Sequence, residues 1–160
     1  MKRLLMLASL VVLASVSSSP LLAQSNPQIG TWKLNVAKSK YVNVQGPKSG
    51  TRTVEAQGDG AKVTTEGVAG DGSRIAYSFT TNFDGKDSAI SGVGAPGGED
   101  VVAIKRVDAN ASTGMGKKAG KMIRTDRFVV SNDGKVLTVT VKGSNEQGLP
   151  VSIRQVWEKQ

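Results

Sequence analysis

From residue 50 to residue 160 the chain is a succession of short runs in which apolar and polar side chains alternate. The clearest run sets Ile75, Tyr77, Phe79, Thr81 and Phe83 against Arg74, Ala76, Ser78, Thr80 and Asn82. A period of two belongs to a strand with one face turned inward. Leu137, Val139 and Val141 repeat the device, as do Val151, Ile153 and Trp157, with Gln155 as the polar exception. No apolar period of 3.6 occurs there, so a helix-covered parallel sheet is not expected. The pattern predicts strands near 30–35, 51–57, 61–67, 73–83, 86–91, 100–107, 110–117, 120–131, 135–143 and 149–158.

Turn signals separate these runs. Asp59-Gly60, Asp71-Gly72, Asp84-Gly85 and Asp133-Gly134 each pair two residues that tolerate the backbone of a tight hairpin. Consecutive hairpins with few apolar residues per strand favour one antiparallel sheet closed on itself, because closure removes exposed strand edges. The class is therefore all-β, with a two-sheet sandwich as the competing arrangement. Residues 36–50, with Pro47, have room for a helical turn or a flap, and Gly92 to Gly98, with Pro96, reads as a flexible connection.

The first residues follow another pattern. Lys2 and Arg3 precede an apolar run from Leu4 to about Val16, and small residues lead to Leu21-Leu22-Ala23. That layout is a secretory signal peptide, expected over 1–23 with cleavage after Ala23. The run is short of the ~20 residues that span a bilayer, and Ser17 to Pro20 interrupt it. Residues 24–160 then form one domain, expected in the periplasm or secreted, with no stable membrane insertion after cleavage. The pattern carries no signal of oligomeric state.

Composition narrows the chemistry. The chain has no His and no Cys, which removes imidazole as a ligand or proton carrier near neutral pH and removes disulfides. Lys2 and Arg3 account for two of the formal +8 charges, so the expected mature chain carries +6. Its basic residues are scattered, apart from Lys117, Lys118 and Lys121, and its few aromatics offer little for base stacking; nucleic acid is not an expected partner. Asp59, Asp71, Asp84 and Asp133 are explained by turns. Glu99-Asp100 reads as a solvated loop, since two adjacent carboxylates fall short of the six to eight oxygens of a Ca²⁺ site. No catalytic residues, metal site or cofactor are expected, and the chain is not read as an enzyme.

Gly30-Thr31-Trp32-Lys33-Leu34 resembles the G-x-W first-strand signature of the lipocalin and fatty-acid-binding protein superfamily. The longer run GTWKLNVAKSKY is similar to the start of small secreted bacterial lipocalin-like proteins. The resemblance implies an up-and-down antiparallel barrel of about eight to ten strands. It also implies that Trp32 plugs the closed end, packed near a basic residue of the last strand, with Arg154 as the candidate. Residues 36–50 depart from the two-helix lid of the fatty-acid-binding branch.

Candidate ligand contacts come from polar residues among apolar ones. Arg106 shares its parity with Val102 and Ile104, and Arg124 with Met122, Phe128 and Val130. An inward Arg can grip a carboxylate bidentately; an outward one would reach a surface acid such as Asp126. Tyr77 and Phe79 are core residues first and cavity walls second. Two functions follow: an exported binding protein for a small hydrophobic or carboxylate-bearing ligand, or an interaction module with a filled barrel that acts through its loops.

Overall fold

The computed structural model describes residues 26–145 and 147–160; the expected signal peptide lies outside the described residues. The strands are β1 (Gly30–Leu34), β2 (Lys40–Val42), β3 (Ser49–Gln57), β4 (Gly60–Val68), β5 (Arg74–Thr81), β6 (Asp84–Ala89), β7 (Ser91–Val93), β8 (Val101–Arg106), β9 (Ala111–Lys118), β10 (Lys121–Val130), β11 (Val136–Ser144) and β12 (Pro150–Lys159). One 3-10 turn, Pro96–Gly98, lies between β7 and β8.

All twelve strands join one sheet in the order β6-β8-β9-β10-β11-β12-β1-β3-β4-β5-β7, with β2 laid on β12. Every pairing is antiparallel. The segment from β6 to β7 spans the seam: its first half pairs with β8 and its second half with β5. The sheet is thereby wrapped into a nearly closed barrel with little free edge.

Local chemistry explains most of the turns. At the β3–β4 hairpin, Gln57 faces Gly60 across a two-residue turn, and Gly58, at φ +55°, takes the left-handed conformation that L side chains rarely adopt. Asp71, Asp108 and Asp133 accept backbone N–H bonds from residues two ahead, the Asx-turn device. Asp84-Gly85 corrects the expected hairpin tip. The bend falls at Phe83 (φ 56°), whose N–H bonds to the Thr81 hydroxyl, and Asp84 begins β6, with an irregular register before Asp87. The inward face continues through that bend, which buries the Phe83 ring.

Residues 36–50 hold a turn and the short strand β2, without a helical lid. The Ser39 hydroxyl in this strap accepts from the Val156 N–H, which covers the outward-facing Val156.

The barrel has two unlike ends. At the end where β1 begins, Trp32 is 0 % exposed, and its indole N–H donates to the Gln28 carbonyl at 2.9 Å. Gln28 in turn donates to the Ser112 hydroxyl at 2.8 Å, which ties the segment before β1 to β9. The cation over the indole is Lys159, with Nζ 5.0 Å from the ring. Arg154, the residue expected there, lies exposed beside Lys40 of β2. Arg154 lies five residues before Lys159 and on the opposite face of β12, too far from the plug, whereas Lys159 is the cross-strand partner of Trp32. Gly30 leaves room for it, since a Cβ there would lie 2.8 Å from Lys159 Cε.

Candidate functional site

The opposite end of the barrel holds a cavity of about 80 Å³. Its apolar wall includes Leu34, Ile75, Val139, Val141, Ile153 and Trp157, and its polar groups include Arg52, Thr65, Tyr77, Arg124 and Gln155. Gly94 and Pro96 approach from the β7–β8 connection, and the exposed Glu66 stands at the rim. A deeper void of about 20 Å³ lies toward Trp32, bounded by Phe79, Phe83, Ile104 and Leu137. Arg52 and Phe128 line both spaces and separate them.

Arg124 points inward and meets internal acids. Its Nε and Nη2 donate to the two carboxylate oxygens of Glu99, each at 2.6 Å, and its Nη1 donates to Asp126 Oδ1 at 2.9 Å. The arginine side chain is 14 % exposed and the two acids 1 % and 0 %. Asp126, expected on the surface, shares the inward face because it lies two residues along the same strand. Glu99, expected in a solvated loop, is delivered into the barrel by the turn at Pro96–Gly98.

Burial raises the pKa of Glu99 and of Asp126, and the positive charge of Arg124 only partly offsets it. Burial also opposes the charge on Arg124, yet Asp126 and Glu99 outweigh it and push that pKa above the ordinary value. The cluster is a triad of one arginine and two acids held inside the barrel, in which Asp126 Oδ2 has no hydrogen-bond partner among the described residues.

Glycine makes the triad sterically possible. Arg124 faces Gly116 on β9 and Gly143 on β11, and Asp126 faces Gly114. A Cβ at Gly116 would collide with Glu99 Oε2 and lie 2.7 Å from Arg124 Nε. Gly114 and Gly116, spaced by two in a strand, were the sequence signal for bulky partners across the ladder.

Arg52 is the residue that the pattern reading missed. It lies on the inward face of β3 between Gly50 and Val54, 8 % exposed, opposite Trp32 on one side and Thr65 on the other. Its guanidinium carbon sits 5.5 Å from the Phe128 ring centroid and 5.9 Å from that of Trp157. Neither Arg52 Nε nor Thr65 Oγ1 has a hydrogen-bond partner among the described residues. The alternation Gly50, Arg52, Val54 against Thr51 and Thr53 carried the signal.

The other candidates divide. Tyr77 lines the cavity and Phe79 the deeper void. Arg106 lines neither: it has inward parity but is the last residue of β8, and its side chain leaves over the Phe83 ring, 4.8 Å from the centroid, into solvent. A long side chain at a strand end escapes the direction that parity imposes further in.

Among the described residues no group of three or more His, Cys, Asp or Glu is placed to hold a metal ion, and no helix is long and apolar enough to cross a membrane. The chain matches no family model and no curated protein sequence. Its structure is similar to the crystal structure of zebrafish ileal bile acid-binding protein complexed with cholic acid, with a TM-score of 0.51 and 13 % identity over 84 % of this chain and 99 % of that one. The fold is a lipocalin-like barrel. The likeness to the bile acid-binding protein is one of fold, and the Arg52 and Arg124 clusters described above are read from this chain alone.

Proposed function

We propose that the chain is an exported lipocalin-like binding protein that takes a small apolar or amphipathic ligand into the open end of its barrel and performs no catalysis. The observation that carries the reading is the cavity itself: an apolar wall interrupted by two buried polar groups, Arg52 Nε and Thr65 Oγ1, that lack partners. A buried polar group without a hydrogen bond is costly, and a ligand oxygen that reaches either group through a small adjustment of the cavity wall relieves that cost. The barrel of the bile acid-binding protein, whose structure contains cholic acid, supports the reading as an example of this architecture holding an amphipathic molecule.

The size of the space restricts the ligand. Sites for drug-sized molecules run to roughly 300–1,000 Å³, so about 80 Å³ suits a compact molecule, or the inner part of one whose remainder emerges past Glu66. Native mass spectrometry of the purified protein is expected to show a small adduct or to capture added short-chain amphiphiles. A bare mass under all loadings would favour the module with a filled barrel, acting through its loops.

Export rests on the layout of residues 1–23. N-terminal sequencing of protein recovered outside the cytoplasm is expected to begin at Gln24, and a chain still starting at Met1 would remove both the export reading and the signal peptide.

A further inference from the structure

Within the binding reading, we infer that the cavity accepts a neutral head group, a hydroxyl or carbonyl oxygen received by Arg52, and disfavours carboxylates. The polar groups at this end of the barrel divide into one arginine paired with two carboxylates and one that makes no ion pair among the described residues. Arg124 already donates from Nε, Nη1 and Nη2 to carboxylate oxygens of its own chain at 2.6–2.9 Å, so a ligand anion approaching its remaining N–H groups meets the negative charges of Glu99 and Asp126. Arg52 lines the cavity, makes no ion pair among the described residues, and keeps its Nε unpartnered. A ligand oxygen entering the cavity meets Arg52.

Charge decides what that oxygen belongs to. The interior holds two guanidinium groups, Arg52 and Arg124, and two carboxylates, Glu99 and Asp126, a balanced set. A carboxylate added to it leaves one uncompensated negative charge in a poorly solvated space, which is unfavourable. Glu66 at the rim adds a further negative charge along the way in. An alcohol or carbonyl oxygen accepts from the guanidinium and leaves the balance untouched. Next to the head group, Val139, Ile153 and Trp157 offer contact to a short apolar body.

The test uses the length-matched pair 1-butanol and butyrate, titrated into the wild-type chain near pH 7.5. Trp157 fluorescence and the Arg52 Nε–H signal in ¹H–¹⁵N spectra report occupancy. Butanol is expected to bind at least about tenfold more tightly than butyrate, the ratio that one uncompensated charge in a partly buried site imposes, and to shift the Arg52 signal. Glu99→Gln removes one negative charge while keeping an acceptor for Arg124; it is expected to raise butyrate affinity about tenfold and narrow the ratio. Arg52→Met is expected to weaken butanol at least about fivefold, with the apolar wall intact. Both variants are first checked for a cooperative melt, and the wild-type ratio stands as a test even if either fails to fold. Butyrate binding as tightly as butanol in the wild type, or butanol binding unaffected by Arg52→Met, overturns the inference while leaving the binding reading in place. Binding of neither probe at millimolar concentration overturns the binding reading and the inference with it.

Discussion

Arg124→Met is expected to destabilise the barrel by roughly 3 to 5 kcal/mol near neutral pH, the usual loss when one partner of a buried ion pair is removed. The substitution leaves Glu99 and Asp126, side chains 1 % and 0 % exposed, facing each other with no hydrogen-bonded cation. Arg52→Met is the milder contrast: that guanidinium makes no ion pair among the described residues and touches rings that Met can also touch, but its loss leaves one interior negative charge uncompensated, and its effect is expected to be about 1 to 2 kcal/mol. Urea unfolding of both variants measures the difference.

The sign of the pH dependence is a second readout. Burial has already raised the pKa values of Glu99 and Asp126 in the folded chain, and loss of Arg124 raises them further. A folded state with raised carboxylate pKa values binds more protons than the unfolded chain, so the contribution of these groups is greatest below the ordinary carboxylate range and is lost as pH rises through the raised values. The deficit of Arg124→Met should therefore shrink as pH falls from neutral toward about 4. A deficit that is small, or that does not change with pH, would mean that the triad is not an ionic element of the core. If the single variant does not fold, Glu99→Gln in the same chain is expected to restore part of the loss, since it removes one of the stranded charges.

Trp32→Ala is expected to cost about 3 to 5 kcal/mol, the range for truncating a large buried aromatic. Trp32 is fully enclosed, its N–H is bonded to Gln28, and Gln28 links on to Ser112 of β9. Truncation opens a cavity and also frees the segment that closes this end of the barrel. Lys33→Ala, one residue on and exposed, is the control and should lie within about 0.5 kcal/mol of wild type. Equal small losses in denaturant melts would show that the plug is not a stability element and would remove the structural meaning of the G-x-W run.

The resemblance of Gly30 and Trp32 to a first-strand signature pointed to the right architecture, and strand periodicity supported it independently. Tyr77, Phe79 and Phe83 turned inward as their spacing of two required, and so did Leu137, Val139 and Val141. These inferences succeeded because alternation is a local property: a strand buried on one face must write apolar residues at every second position, whatever lies across from it. The seam was not legible, since the stretch 84–93 pairs first with β8 and then with β5, and nothing in its composition selects a partner.

Alternation determined a β chain and its inward faces, the Asp-Gly pairs marked most of its turns, and the resemblance of the G-x-W run implied the plug at Trp32. The tertiary structure alone decided the chemistry of the interior. Parity turned Arg124 inward, but its partner Glu99 lies 25 residues away in sequence and reaches it only because the barrel closes and Gly116 and Gly143 leave space. Parity also turned Arg106 inward, and the end of β8 released it to solvent. The assignment of Lys159 rather than Arg154 to Trp32 followed from register, which places one residue of β12 opposite the indole. Charges interact through space and are held by whichever strands closure brings together, so which arginine is paired with acids, and which makes no ion pair among the described residues, is a property of the nearly closed barrel and not of any one strand.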